Sequence, residues 1–456
     1  MNHFDPKILD RTVIAIPLLR AIEAGHHQAF AVIIDLNLDY RHGLRAARQW
    51  VVDRLPHAST TDHSESQYVF ARLDAAAIRK LVEFDLVQSS RAIHHIWPDF
   101  EISACMNKSI ATVKSDAAQT SFSADGAGIT WAVVDSGVDA SHPHLDAGID
   151  RASPLHRNFI NAASPLEDPH GHGTHVAGII AGEWPDSFTR RPLAASRFFR
   201  SETDDVEREI TTLTTMRGMA PRCHIASLRV LDEHGKGTVS SLIAAIGYVM
   251  EQNSHGRRIV IHGVNLSLGY NFEPEWFACG QSPLCVEVDR LVKSGVVVVV
   301  AAGNTGYGTL KASAGATSAG RPLTINDPGN ADLAITVGAT HREMPHLYGV
   351  SFFSSKGPTG DGRMKPDLVA PGEKILSCAA GALRGHDCDY VETSGTSMAA
   401  AHVSGVIAAF LSVRREFIGR PERVKELFLR SATDLGRDRS FQGAGLVDLM
   451  RAIQSV

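Results

Sequence analysis

The sequence predicts an α/β protein in two parts: a large, mostly parallel sheet with helices on both faces, preceded by a small α+β domain. Three observations carry this. From residue 129 onward, short runs of β-branched and small apolar residues alternate with longer helical stretches, the pattern of strands buried on both faces and joined by crossovers. Two of those runs stop at a polar residue beside glycine, Asp135 before Ser136-Gly137 and Asn304 after Gly303, and open α/β sheets hold their ligands at such carboxyl strand ends. Residues 1–104 carry a strand and helix alternation of their own, cut off from the rest by a polar stretch.

Within 1–104, strands are expected at 29–36, 68–73 and 92–97, and helices at 43–55 and 75–84. Paired βαβ-type units of this kind suggest a ferredoxin-like α+β sandwich, and no element is assigned to 11–27. The N-terminal run Val13-Ile14-Ala15-Ile16-Pro17-Leu18-Leu19 is short, broken by proline and followed by no Ala-x-Ala exit before Glu23. It makes a poor signal peptide, so the expected location is cytoplasmic, with secretion by an unrecognised route as the alternative. Residues 105–128 are polar and Ser/Ala/Gly-rich, as a linker or a processed extended segment would be. In 129–456, strands are expected at 129–135, 224–230, 258–266, 296–301, 333–339 and 374–378, and helices at 172–182, 239–252, 284–294, 397–412 and 422–431.

Composition narrows the function classes. A chain of 456 residues, 44% of them hydrophobic, can bury a sizeable core, and its net charge of -5 argues against nucleic acid or an anionic membrane as the main partner. No uninterrupted apolar stretch reaches about 18 residues, the length of a spanning helix. Among the six cysteines, Cys279 with Cys285 and Cys378 with Cys388 are near enough to close small rings in an oxidising compartment, whereas Cys105 and Cys223 have no evident partner. In a reducing compartment all would remain thiols.

The stretch from Gly395 to Gly405, Gly-Thr-Ser-Met-Ala-Ala-Ala-His-Val-Ser-Gly, sets Ser397 at the start of an apolar run that reads as a buried helix. Free N–H groups and the positive end of the helix dipole converge there, so an oxyanion beside the Ser397 hydroxyl would be stabilised. A serine needs a base, usually histidine, which a buried carboxylate orients. His172, in His170-Gly171-His172-Gly173-Thr174-His175, and Asp135 supply these types, and the Asn304 amide can donate to the oxyanion.

On these residues the chain closely resembles the subtilisin-like serine peptidases, or subtilases. Asp135-Ser-Gly-Val-Asp139, His172-Gly-Thr-His-Val-Ala-Gly178, Ala301-Ala-Gly-Asn304 and Gly395-Thr-Ser-Met-Ala399 each match a family motif, in the family's order. Gly218-Met-Ala-Pro221, Asn265-Leu-Ser-Leu-Gly269 and Lys365-Pro-Asp-Leu-Val-Ala-Pro-Gly372 extend the likeness from about residue 125 to the C-terminus. The resemblance implies peptide-bond hydrolysis by a triad of Asp135, His172 and Ser397 with Asn304 at the oxyanion. It implies a peptide or protein substrate lying as an added strand between Gly235-Lys236-Gly237 and Ser267-Leu268-Gly269. Gly303 then borders the substrate, and Asn326, with Asp327, falls near the floor of the primary specificity pocket. The second half of the N-terminal domain resembles the inhibitory propeptide of subtilases, so 1–104 is expected to act as an intramolecular inhibitor, cut from 129–456 near Ala104-Cys105.

The chain also departs from the family. Ala401 replaces the proline usual in the nucleophile helix, and His144 stands where many relatives place a calcium-binding aspartate. A longer, charged segment, 183–217, replaces the short calcium loop, and imidazole is a poor ligand for calcium. No cofactor is therefore expected. A transition-metal site at His170, His172 and His175 is the competing reading, against which the His-Glu-x-x-His spacing is missing. Two rival functions keep the same fold: a peptide ligase or macrocyclase, in which an amine intercepts the acyl-enzyme, and a non-catalytic binding module.

Overall fold

Valine-rich runs form the centre of the larger of two compact units, Met1–Ala104 and Cys105–Val456, into which the computed structural model divides. The structure describes residues 13–23, 29–55, 67–98, 108–183, 193–200, 206–213, 216–272, 278–312, 315–383 and 388–456. In the larger unit β1 (Thr130–Asp135), β2 (Arg157–Asn158), β3 (His224–Arg229), β4 (Gly263–Leu266), β5 (Val297–Ala301), β6 (Ile335–His341) and β7 (Leu368–Glu373) form one 7-stranded sheet. Its order is β7-β6-β5-β4-β1-β3-β2, and every neighbouring pair is parallel.

Strand periodicity explains why these runs are apolar on both sides. Trp131 and Val133 of β1, with Val297 and Val299 of β5, enter one hydrophobic core; Ala132, Val134, Val298 and Val300 enter the other. The first core is covered by α1 (His172–Ala181), α4 (Thr396–Val413) and α5 (Pro421–Ser431), the second by α2 (Val239–Gln252) and α3 (Pro283–Lys293). Two starts are fixed by caps: Thr238 accepts from the Ser241 N–H, and Ser282, ahead of Pro283, accepts from the Cys285 N–H.

Helix α4 is the central packing element. Its 18 residues are on average apolar enough, and the helix long enough, to cross a membrane by length and composition, a property the count of uninterrupted apolar residues missed, yet 83% of the helix is buried inside the unit. That apolarity is a core helix's. A Cβ on Gly405 would stand 2.6 Å from the Met219 Cβ and 3.2 Å from the Ile180 Cα, so glycine lets α4 lie directly on α1. Farther along, Phe410 packs edge-on against Phe417 and Phe428, with ring centroids 5.3 and 5.4 Å apart. Truncating it to alanine should cost about 3–5 kcal/mol by the usual scale for buried aromatics.

Several expectations need correction. The strand expected at 258–266 begins at Gly263, because the buried Asn253 amide accepts from the Val260 and Ile261 N–H groups and donates to the Ile261 carbonyl, holding those β-branched residues in a loop. The run at 374–378 is a strand, Ile375–Cys378, but belongs to a separate 4-stranded sheet with Tyr390–Thr393 and a hairpin, Leu193–Arg200 and Val206–Leu213. The charged insertion thus supplies sheet structure. β7 was not expected because it contains Pro371, which an edge strand tolerates. Within 105–128, the described part from 108 is not an extended linker: Lys108–Thr112 and Ser115–Phe122 are helices, anchored by buried Val113 and Ala118 and by the Gln119 amide donating to the Gly218 and Met219 carbonyls. So few buried residues leave almost no apolar period to read.

The smaller unit is α+β. Phe30–Leu36 is the centre of a 3-stranded sheet flanked by Tyr68–Leu73 and Ile93–Pro98, and both pairings are antiparallel where βαβ units would be parallel. Helices Leu44–Val52 and Ala75–Leu86 pack on it, the latter capped by the Asp74 carboxylate. The fourth strand of a ferredoxin-like sandwich is not among the described residues. Within the unassigned 11–27, Ile16–Glu23 is helical.

Three histidines of the larger unit are buried as neutral rings. Burial pushes His144 and His175 down to about 3, each helped by a neighbouring histidine, and His402 to about 4. In the unfolded chain these rings protonate near the ordinary value of about 6.5, so the unfolded state binds more protons between that value and about 3–4. Stability is therefore present above pH 6.5 and is lost as pH falls through this window, by about 1.4 kcal/mol per pH unit for each ring. Urea denaturation at pH 7, 6 and 5 checks this: the unfolding free energy should fall steadily, and a flat profile would refute it.

Candidate active site

Asp135 is the last residue of β1 and has no exposed surface. His172 is the first residue of α1. They meet because the next residue is glycine: a Cβ on Gly173 would stand 2.1 Å from the Gly137 carbonyl oxygen and 3.1 Å from the Asp135 Cβ. His172 Nδ1 lies 2.8 and 3.0 Å from the two Asp135 carboxylate oxygens, one of which also accepts from the Ser136 N–H. The carboxylate can only accept, so Nδ1 carries the proton and Nε2 has its lone pair available. Burial works against the imidazolium, but the charge and hydrogen bond of Asp135, with Asp168 beyond it, raise the His172 pKa above its ordinary value.

Asp168 was not anticipated. Its buried carboxylate accepts from the N–H groups of Gly171 (2.7 Å) and Thr174 (2.8 Å) and from the hydroxyls of Thr174 (2.7 Å) and Ser136 (2.8 Å). The Ser136 oxygen in turn accepts from the Gly173 N–H at 3.0 Å. These bonds satisfy the free donors at the start of α1 and tie it to the turn after β1. An acid shortly before a helix is a capping signal, here masked by the Pro-His-Gly that follows it.

Ser397 occupies the first turn of α4, whose backbone it joins to the segment after β4 through reciprocal bonds. Its hydroxyl donates to the Ser267 carbonyl, and the Ser267 hydroxyl donates to the Ser397 carbonyl, both at 2.9 Å. Behind them the Asn265 amide donates to the Ser267 oxygen and accepts from the Ser404 hydroxyl. Among the described residues Ser397 makes no hydrogen bond to His172. Asn304 follows β5, and its side-chain oxygen accepts from the Thr396 N–H (2.9 Å) and hydroxyl (3.1 Å). Only the oxygen can accept, so the NH₂ group faces away from Thr396. It lies 3.5 Å from where a Cβ on Gly395 would stand.

The two expected substrate segments line one cleft of about 600 Å³, with His172 in its wall. Gly235, Lys236 and Gly237 are on one side, Ser267, Leu268 and Gly269 on the other, and Leu231, Val239 and Leu242 make the lining largely apolar. Gly303 and Asn326 adjoin each other beside this cleft: the Asn326 N–H donates to the Ala302 carbonyl, and a Cβ on Gly303 would stand 2.7 Å from the Asn326 Cγ. Ala104 and Cys105 lie outside the described residues.

His175 turns to the Val391 carbonyl and the Thr393 hydroxyl, away from His172, and no group of three His, Cys, Asp or Glu side chains among the described residues is arranged to hold a metal. The residues at the calcium position do not fit that ion: His144 is an imidazole packed between His142 and Tyr390, offering no oxygen. Cys223, Cys279, Cys285 and Cys378 are thiols, which burial pushes up in pKa.

Comparison with known proteins bears on the family and the fold. The chain is 34% identical over 327 residues to pyrolysin of Pyrococcus furiosus, covering 62% of this chain and 21% of pyrolysin. It is 29% identical over 351 residues to serine protease AprX of Bacillus subtilis, covering 72% of this chain and 66% of AprX. The chain thus spans about a fifth of one relative and just under two thirds of the other. The crystal structure of MycP1 with the N-terminal propeptide removed shares the fold, with a TM-score of 0.52 at 24% identity over 76% of this chain and 96% of that one. The sequence pattern of the subtilase family matches residues 126–446, and the chain belongs to that family of subtilisin-like serine peptidases.

Proposed function

We propose that the chain is a serine endopeptidase that hydrolyses peptide bonds through Ser397, His172 and Asp135, with Asn304 at the oxyanion. The observation that carries this reading is the Asp135-His172 pair, whose geometry leaves Nε2 as a base beside an apolar cleft. A peptide added as a strand along Ser267-Leu268-Gly269 brings an N–H to the Ser267 carbonyl, the acceptor the Ser397 hydroxyl now uses. Displaced, the hydroxyl turns to His172. Its oxygen attacks the scissile carbonyl carbon while its proton passes to Nε2; the Asn304 NH₂ and the Ser397 N–H stabilise the oxyanion. His172 returns the proton to the leaving amine, and water, deprotonated by the same nitrogen, resolves the acyl-enzyme. Asp135 holds the imidazolium throughout and is not itself protonated.

Replacing Ser397 by alanine should abolish turnover of a fluorogenic peptide and labelling by a fluorophosphonate probe; wild-type turnover in that variant would exclude the assignment. Asn304→Ala should lower kcat by about 10²–10³, the cost known for this family's oxyanion amide, with less effect on KM. Only neutral His172 can act as the base, so kcat/KM should rise with pH through a midpoint above about 6.5. Asp135→Asn removes the charge that favours the imidazolium, and the midpoint should move down as kcat falls by about 10⁴. Product mass separates hydrolysis from ligation, since only hydrolysis adds a water.

We further infer that 1–104 is an inhibitory domain removed by the protein's own activity. Support comes from the length of the unit and from the extended, weakly charged sequence at its end, which a substrate groove would accept. Incubated side by side, wild-type protein should be cut within 101–108, near Ala104-Cys105, while Ser397→Ala stays full length. An uncut but fully active wild type would leave the domain another role. The same reading assigns no calcium to the position of His144: chelator should leave the melting temperature unchanged, and a large drop reversed by calcium alone would contradict it.

A further inference from the structure

A second cleft, of about 270 Å³, is walled in part by Thr305 and by Asn326, which lies against Gly303, and its chemistry differs from that of the apolar one. Three segments close it. Tyr270 and Asp327 pair as a backbone bridge, the Asn326 N–H bonds to the Ala302 carbonyl, and Thr305, one residue beyond Asn304, bonds through its hydroxyl to the Asn326 side-chain oxygen at 3.3 Å. Gly303 has φ 107 and stands where a Cβ would strike Asn326, so glycine keeps open the way past the strand end. On the family resemblance, which puts Asn326 near the floor of the primary specificity pocket, a side chain on the acyl side of a carbonyl held at Ser397 and Asn304 would lead past Gly303 toward this space. The volume is below the usual range for whole small ligands, about 300–1,000 Å³, and suits one side chain.

The lining is mostly polar. Asn271, Thr305, Thr324 and Asn326 contribute amides and hydroxyls beside Phe272, Leu323 and Ile325, and among the described lining residues Arg321 is the only charged one. The Asn326 oxygen already accepts from Thr305, which leaves its NH₂ as a donor. Arg321 lies over Gly308, whose missing side chain makes room for it: a Cβ there would meet the arginine Cδ at 3.2 Å and Nη1 at 3.3 Å. Among the described residues its guanidinium has no hydrogen-bond or ion-pair partner. Asp327, the neighbouring carboxylate, is buried and accepts from the Asn330 amide, so it does not neutralise Arg321. A carboxylate is acceptor-only and matches a guanidinium fork flanked by amide donors; an apolar side chain would strip these groups of water without replacing their bonds.

Resting on the peptidase reading and on the primary specificity pocket that the family resemblance puts at Asn326, we propose that Arg321 selects glutamate or aspartate at the substrate residue whose carbonyl is attacked. Paired peptides differing only in Glu against Gln at that residue, with Leu and Lys versions as controls, should give kcat/KM at least about tenfold higher for Glu in wild-type protein. That advantage should shrink as salt is raised, because Arg321 is exposed. Arg321→Ala should bring the Glu/Gln ratio to within about twofold, and Arg321→Glu should invert it in favour of Lys. A ratio cancels any general loss of folded enzyme. Preference for Leu over Glu in wild type, or a Glu preference that survives Arg321→Ala, overturns the proposal while leaving the peptidase reading intact. If no peptide is cut, the peptidase reading fails; the ratio is then measured as binding of the same Glu and Gln peptides to Ser397→Ala protein, where equal affinities overturn the selectivity as well.

Discussion

Asp135 is a carboxylate with no exposed surface, and much of the larger unit is arranged so that it can stay charged there. An isolated buried carboxylate costs several kcal/mol or takes up a proton. Here the Ser136 N–H and the His172 ring supply its bonds, and the ring reaches it only because α1 begins against the end of β1 at Gly173. Asp168 holds that beginning in place with four accepted hydrogen bonds. The packing of the sheet, the start of one helix and the protonation state of one histidine are thus a single constraint: a side chain at 173 would separate the pair and strand the charge.

Helix α4 meets the same sheet under a different constraint. Its first turn must present Ser397 while the rest passes through the core, and Ala399, Ala400, Ala401 and Gly405 keep it thin enough to do so. Ala401, where relatives carry proline, leaves the helical backbone hydrogen bonds intact. The Asn265-Ser267-Ser404 chain ties the strand end to the helix interior, so the Ser397 carbonyl is fixed from below while its hydroxyl remains free to exchange partners. Rigidity is placed on the backbone and mobility on one rotor.

What was legible in the sequence follows from how local each signal is. Strands such as Val297–Ala301 announce themselves because both faces are buried, and α2 and α3 because Thr238 and Ser282 cap them within three residues. Asp135, His172, Asn304 and Ser397 were readable because each sits in a short motif at an element's end. Asp168 was missed because the Pro-His-Gly after it masks the capping signal toward Gly171 and Thr174, and because its bond from Ser136 is set by tertiary approach. The misread strand start at 258 has the same origin: Asn253 captures two N–H groups from residues 7 and 8 positions on, and β-propensity loses to a buried amide. In the smaller unit the elements were visible, but strand direction depends on connections that composition does not report.

On the proposed reading, the two clefts would divide recognition by the physics of their walls. Leu231, Val239, Leu242 and Leu268 face the larger one, where apolar side chains gain by leaving water and discriminate weakly, about 1–3 kcal/mol per methylene at most. The smaller one is walled by groups that must be hydrogen-bonded when water is expelled, so a substrate lacking the matching acceptor is penalised for every donor it strands. Selectivity is therefore expected to be sharper in the pocket beside Asn304 than along the apolar groove. Because Asn326 lies against Gly303, and Gly303 donates to the Thr396 hydroxyl that orients Asn304, occupancy of the small cleft would bear on the group proposed for the oxyanion. A side chain that satisfies Asn326 and Arg321 would thereby help hold the Asn304 amide in position as charge develops on the carbonyl, which couples choice of substrate to rate as well as to binding.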